Sequence, residues 1–306
     1  MTHRKKVERA IDGVLLLYKI EGQTSNMALQ QVRRLYQAKK AGHGGTLDPF
    51  AEGVLPILFG EASKFGQYIL GEDKSYRVVA RFGYETDSDD KEGMPTLEAA
   101  VPDWQQVDWQ SLLAQFTGEI LQSPPIYSAL KVNGKRAYAL AREGRIESLP
   151  PRKVLVHFFQ FIERDGDCVV FEVRCSKGTY IRALVRDVAR ALGSAAHAVA
   201  LTRLAVGRLQ APCYRYDEIH EYDLTQLQAL LLPVSQCVAG LSKVVVPENK
   251  VQFLIHGNDV AIDALDFIPK QGQRVALYDR DVFLGVGDWA QGRIYPKRLL
   301  KQDALH

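Results

Sequence analysis

Asp48 lies in the stretch Gly42-His43-Gly44-Gly45-Thr46-Leu47-Asp48-Pro49-Phe50-Ala51-Glu52-Gly53. Glycine allows backbone angles that other residues resist, so such a loop can fold tightly and lie close against a ligand. Pro49 biases Asp48 away from the helical region towards extended backbone. Asp48 is thus held on stiff, non-helical chain, with His43 five residues before it. The chemistry open to it is that of an aimed carboxylate. Ordinary turn chemistry offers a plainer role, capping the next element.

A partner for that carboxylate stands far along the chain. Arg182, Arg186 and Arg190 recur at i, i+4 and i+8, on one face of a helix that turns Ile181, Leu184, Val185 and Val188 to the core. Arg186 and Arg190 read as a solvated basic stripe. Arg182 differs: it falls in the first turn, just after Lys177-Gly178-Thr179-Tyr180, where a guanidinium can hold a carboxylate bidentately. Lys131, Lys135, Arg136, Arg142 and Arg145 interleave with Tyr127 and Tyr138. As a group they suit a surface that follows a phosphate backbone.

Other candidates fail on pattern. The acidic run Glu85-Thr86-Asp87-Ser88-Asp89-Asp90-Lys91-Glu92-Gly93 does not fit an EF-hand, because Glu92 stands where that loop needs glycine. It is expected to be a solvated loop without metal. The four cysteines form no C-x-x-C pair and the seven histidines no H-E-x-x-H, so free thiols in a reducing compartment are expected. No dinucleotide or phosphate-loop signature is present, and no cofactor is expected. A net charge of +3 says little about partners by itself. The basic start Thr2-His3-Arg4-Lys5-Lys6 precedes an apolar run, Val14 to Leu17, too short for a signal peptide or membrane span. A cytoplasmic protein is expected.

These residues need elements to position them. Gly13–Tyr18 reads as a buried strand, then a helix over Asn26–Lys40 capped by Thr24 or Ser25. Strands follow at Val54–Phe59 and Ser75–Phe82, with a short helix over Ser63–Leu70 between them and a capped helix over Asp108–Phe116 after them. Tyr127–Lys131, Val154–Ile162, Cys168–Cys175 and Leu201–Leu209 read as strands, and Lys135–Arg142 and Thr179–Leu192 as helices. The irregular mixture favours α+β over a doubly wound sheet. Past Val246-Pro247 come one helix, Glu248–Ile255, and four short glycine-divided strands at Asp259–Ile262, Arg274–Tyr278, Val282–Val286 and Arg293–Pro296. That is the pattern of a small β-barrel with a core of its own. The expected division is therefore 1–245, with a basic arm near 124–152, and 246–306. Cutting the chain at Val246 should leave the first part folded.

Four blocks together resemble one family. GHGGTLDPFAEGVLP, SYRVVARFGYETDSDDKEG from Ser75, PPIYSALKVNGKRAYALAREG from Pro124 and CSKGTYIRALVRDVARALG from Cys175 look like the blocks of the bacterial tRNA pseudouridine-55 synthases, the TruB family, in the same order. The likeness is strong over residues 12 to about 210 and looser beyond. It implies a mixed-sheet pseudouridine synthase catalytic domain, with a PUA-like RNA-binding domain at 246–306.

The resemblance also implies roles. Asp48 becomes the nucleophile and Arg182 its carboxylate partner. Tyr76 stacks on the target base with a possible part in proton transfer, although an ordinary tyrosine pKa near 10 makes a poor base. Tyr180 and Leu201 complete the pocket, His43 enters the space that the flipped base vacates, and Lys19 adds to substrate binding. Lys131, Lys135 and Arg136 bind RNA. The implied substrate is the T stem-loop of tRNA, taken by a monomer with no obligate protein partner, metal or cofactor. Two other readings stay open: an RNA-binding or tRNA-folding protein whose acid is incidental, and a guide-RNA-dependent relative. The chain departs from the family at Tyr18-Lys19-Ile20, where Asp-Lys-Pro is usual, so a rigid corner is missing beside the loop.

Overall fold

The computed structural model of the chain describes residues 8–128, 130–132, 134–146, 148–262 and 267–301. A nine-stranded mixed sheet forms its larger part. Its strands are β1 (Gly13–Lys19), β2 (Ala41–His43), β3 (Glu52–Phe59) and β4 (Lys74–Phe82), then, after the small hairpin β5 (Tyr84–Thr86) and β6 (Pro95–Glu98), β7 (Gly118–Gln122). A second hairpin, β8 (Lys131–Val132) and β9 (Lys135–Arg136), precedes β10 (Arg152–Asp165), β11 (Cys168–Cys175), β12 (Ala196–Val206) and β13 (Leu209–Gln210). The order across the sheet is β1-β3-β12-β4-β11-β10-β7, with β2 beside β3 and β13 beside β12.

One seam in this sheet is parallel. β12 meets β3 through Thr202↔Glu52 and Arg203↔Gly53 alone, and every other pairing described in the sheet is antiparallel. The two backbones come very close there: a Cβ on Gly53 would lie 2.3 Å from the Arg203 carbonyl oxygen, and its φ is +104°. Only glycine fits. The loop carrying Asp48 enters β3 at this seam.

Helix α1 (Ser25–Leu35) starts as the sequence suggests, with the Thr24 side chain accepting from the Met27 amide at 3.1 Å. It ends several residues before Lys40, because Gln37 takes a left-handed φ of 51° and turns the chain into β2. β12 begins five residues ahead of the expected Leu201. The segment 135–142 is a hairpin strand followed by a short helix, Ala137–Arg142, rather than one helix. β7 and the β5–β6 hairpin escaped periodicity because they carry no apolar stripe: β6 is exposed throughout, and the buried residues of β5 and β7 are the polar Glu85, Thr86 and Gln122.

One face of the sheet packs on the helix Ile181–Ala191, whose Leu184, Val185 and Val188 are buried among Val78, Phe82, Val169 and Phe171. Each such side chain contributes roughly 1.5–3 kcal/mol through burial. After Val206 the chain reaches a five-stranded sheet of β14 (Ser242–Val245), β15 (Val260–Ala261), β16 (Arg274–Asp279), β17 (Val282–Ala290) and β18 (Arg293–Leu299). One apolar cluster of this sheet is its own, around Val244, Leu254, Val275, Leu277 and Trp289. A second is shared: Ala276, Phe283 and Val286 pack with Val14, Leu16, Leu58, Ala62 and Phe65 of the larger part. The Phe65 and Phe283 rings meet edge-on at 5.4 Å. The expectation that a cut at Val246 spares the first part therefore needs revision, since it would bare this cluster and split β14 from its partner β16.

Phe283→Ala should accordingly destabilise the whole chain by about 3–5 kcal/mol in a single denaturation transition. Two separate transitions, with the first part unshifted, would show that the two parts unfold independently.

Candidate active site

A cleft of about 810 Å³ opens beside the parallel seam and is lined by Asp48, Tyr76, Tyr180, Arg182 and Leu201 among others. Asp48, Tyr76, Leu201 and the Tyr180–Arg182 pair lie far apart along the chain, and the fold brings them together. Asp48 keeps 39% of its side chain exposed, so the carboxylate faces the cleft while its loop is held from behind. The Arg182 guanidinium forms an ion pair with Asp48, its Nε lying 3.0 Å from Asp48 Oδ2.

Arg182 is itself only 3% exposed. Its Nη1 donates to Asp90 Oδ2 at 2.8 Å and to the Ser88 carbonyl at 2.6 Å, and Nη2 donates to the Tyr127 carbonyl at 3.2 Å. Asp90 is buried, and its Oδ1 accepts from the Ser88 hydroxyl at 2.6 Å and the Glu92 amide at 3.0 Å. The guanidinium thus bridges one buried carboxylate and one open one.

The expectation of a solvated acidic loop is corrected here, and that of a solvated arginine stripe is corrected for Arg186 but holds for Arg190, whose side chain is 55% exposed. Glu85, Asp89 and Asp90 are all buried. Arg186 donates to Asp89 at 2.8 Å and to the Ser123 carbonyl at 3.0 Å, and Arg190 grips both oxygens of Glu85 at 2.7 and 2.6 Å. The helix arginines therefore zip onto the acidic loop one turn at a time. The loop is tied to the sheet as well, with Ala198 donating to the Asp89 carbonyl and Lys91 to that of Ala198, both at 3.0 Å. A signal was present: three cations at four-residue spacing against three acids in one run.

Three further groups fix the Asp48 loop. Lys19, expected against substrate, is 1% exposed and does not line the cleft. Its Nζ donates to the carbonyls of Ile20, Pro49 and Ala51 at 3.0, 3.2 and 2.6 Å. Burial lowers its pKa to about 8, with the Asp48 charge opposing the shift. Arg203, missed as a functional residue, is equally buried and donates to the carbonyls of Val54, Gly45 and Thr46 at 2.8, 3.0 and 3.4 Å. Ser25 Oγ accepts from the Leu47 amide at 2.8 Å. Both termini of the loop are therefore pinned by buried donors. The missing Pro at position 20 is made good by these contacts and by Gly22 donating to the Pro49 carbonyl at 2.9 Å. Tyr18 packs under Arg215, 4.5 Å from ring centre to guanidinium carbon.

Tyr76 reaches the cleft from β4, opposite Arg203 of β12. Burial raises its pKa, with nearby Arg203 pulling the other way. Tyr180 precedes the first turn of the arginine helix and is clamped to Gln122, which accepts from its amide at 2.8 Å and donates to its carbonyl at 3.0 Å. His43 lies on β2 opposite Ile57, outside the cleft lining, and its Nδ1 is buried without a hydrogen-bond partner. Lys131, Lys135 and Arg136 form the β8–β9 hairpin backbone, and their side chains lie outside the described residues. Among the described residues, no group of three or more His, Cys, Asp or Glu is placed to hold a metal ion, and no helix is long and apolar enough to cross a membrane.

Residues 33–181 match the model of the TruB family pseudouridylate synthase N-terminal domain, and residues 242–300 that of the pseudouridine synthase II TruB C-terminal region. The chain is 42% identical to tRNA pseudouridine synthase B of Chromohalobacter salexigens, covering 99% of this chain and 98% of that one. It is 41% identical to the protein of the same name from Coxiella burnetii, covering 98% of each. Among solved structures, the fold is shared with a chain of a Cbf5-Nop10-Gar1 complex, with a TM-score of 0.77 at 24% identity over 100% of this chain and 93% of that one. A chain of an H/ACA RNP bound to a substrate RNA containing 2'-deoxyuridine gives 0.75 at 22%, over 96% and 87%. The family models and these relatives show an enzyme of the pseudouridine synthase class, and its fold is α+β with a C-terminal barrel-like sheet. Within that class, the chain belongs to the TruB family.

Burial and the Arg203 charge lower the pKa of His43, so the folded protein resists protonating it. As pH falls below about 6.5, the unfolded chain binds a proton that the folded chain refuses, and stability is lost. The stability advantage of wild type over His43→Asn should therefore shrink between about pH 7.5 and 5.5. An advantage that grows with acid would place a charged, stabilising histidine there.

Proposed function

We propose that this enzyme converts uridine 55 in the T stem-loop of tRNA to pseudouridine, unaided by other proteins, as a cytoplasmic monomer. The observation that carries the reading is the open Asp48 carboxylate, held on Arg182 at 3.0 Å in a cleft between Tyr76 and Tyr180. The relatives named as tRNA pseudouridine synthase B over nearly the whole chain support tRNA as the substrate.

Isomerisation needs a nucleophile and no redox change. Asp48 attacks ribose C1′, and the bond from C1′ to uracil N1 breaks with its electron pair going to the base. The base turns within the cleft, and C5 bonds to C1′ as Asp48 leaves. C5 then loses its proton and N1 gains one, so atoms and charge balance. Tyr76 supplies a flat wall for the turning base, with Leu201 beside it. Unstacking the target nucleotide from its loop is part of the binding cost. Lys19 acts at one remove, through the loop carbonyls it holds. In this reading 1–245 is the catalytic domain, the hairpin arm with Lys131, Lys135 and Arg136 follows RNA, and 246–306 is a PUA-like domain, with β14 from Ser242 joined to its sheet.

The test is the purified protein with an unmodified tRNA transcript, mapping the pseudouridine formed, beside Asp48→Asn. Asparagine keeps the size and much of the hydrogen bonding but removes the attacking oxygen's charge. Formation should fall by several orders of magnitude while tRNA affinity changes no more than about tenfold, or about 1.4 kcal/mol. A variant that binds normally and turns over within tenfold of wild type removes Asp48 from the nucleophile's role.

A further inference from the structure

The five-stranded C-terminal sheet touches the larger part at the back of one cleft wall. That wall is the short helix α2 (Gly66–Gly71) with the 3₁₀ turn before it, Gly60–Phe65. On the cleft side, Leu70 and Lys74 line the opening. Lys74 Nζ caps the end of α2, donating to the carbonyls of Leu70 and Glu72 at 2.9 and 2.6 Å. Ile69 presses on the start of the Asp48 loop so tightly that a Cβ on Gly44 would lie 2.5 Å from its Cγ2.

On the far side, α2 is held by the C-terminal sheet. Arg274 Nη1 donates to the Tyr68 hydroxyl at 2.6 Å, and Arg274 also grips both carboxylate oxygens of Asp288. Phe283 packs on Phe65, and Glu61 Oε2 accepts from the Lys301 amide at 3.0 Å. Tyr68 and Ile69 are adjacent, so the same turn of helix meets Arg274 on one side and the Gly44 backbone on the other. A continuous packed path therefore runs Asp288, Arg274, Tyr68, Ile69, Gly44 and on to the loop that presents Asp48.

We propose that Arg274 and Tyr68 are positioning residues for the reaction, through which the C-terminal sheet sets the placement of the Asp48 loop. This role is separate from holding RNA. It rests on the reading of Asp48 as nucleophile only for its kinetic arm. Loss of the Arg274–Tyr68 contact lets α2 shift, and a displacement of about 1 Å at a reacting group can cost on the order of a hundredfold in rate.

The experiment compares Tyr68→Phe, which removes one oxygen, with Arg274→Met and with both together, in the full chain. The first readouts are single-turnover pseudouridine formation and tRNA dissociation constant, taken well below the melting temperature of each variant. Each single variant should slow the chemical step by about tenfold and change affinity by less than about threefold. The double variant should be no slower than the slower single one, because one path is cut twice. Wild-type rates overturn the proposal, and so does weakened binding with an unchanged rate, which would make Arg274 an RNA contact. The second readout needs no activity: amide exchange at Gly44 to Asp48 should speed up in Tyr68→Phe and Arg274→Met. Unchanged protection there overturns the proposal even if wild type makes no pseudouridine, an outcome that would count against the enzyme's proposed substrate instead.

Discussion

The site depends on one buried guanidinium. Arg182 has left water almost completely, and a buried charge is tolerated only where partners replace its hydration. Two carboxylates and two carbonyls do so. Asp90 is sealed in with Arg182, so that half of the bridge is a fixture. Asp48 is open to the cleft, so the other half is free for chemistry. The fixed half places the free one: a planar fork held through Nη1 and Nη2 sets where its charge lies, and the Asp48 carboxylate pairs with that charge at 3.0 Å.

The same logic extends along the helix and round the loop. Arg186 and Arg190 fasten the acidic loop that carries Asp90, so the fixture is itself anchored at three successive turns. Lys19 and Arg203 are two more buried cations, and both give their protons to backbone carbonyls at the two ends of the Asp48 loop. Three cations thus surround one exposed carboxylate. A glycine-rich loop would otherwise be the most mobile part of the molecule. Here its freedom is removed by donors that cannot turn to water.

Much of this was legible in the residues. The Asp48 loop, the arginine helix and the strands of the core carry apolar periodicity or unusual composition, and the amphipathic pattern places Arg182 in the first turn of the Ile181–Ala191 helix, as found. The α+β class followed from the irregular alternation of elements. What could not be read was pairing across the fold. Glu85, Asp89 and Asp90 look like any solvated acidic run until the Ile181–Ala191 helix is laid over them. Lys19 and Arg203 look like surface cations, because their acceptors are carbonyls, which have no sequence signature. The shared cluster around Phe65 and Phe283 was hidden for a similar reason, since each half of it is an ordinary apolar pattern.

Asp90, through Arg182, sets the placement of Asp48. Asp90→Asn tests this most directly, because the side chain keeps its shape but loses the buried charge and one of the two accepting oxygens that fix the guanidinium. With folding verified, single-turnover pseudouridine formation should fall by about a hundredfold, ~2.7 kcal/mol in the barrier, with tRNA affinity essentially unchanged. A rate within about threefold of wild type would contradict the account, since Asp48 would then be aimed without the bridge.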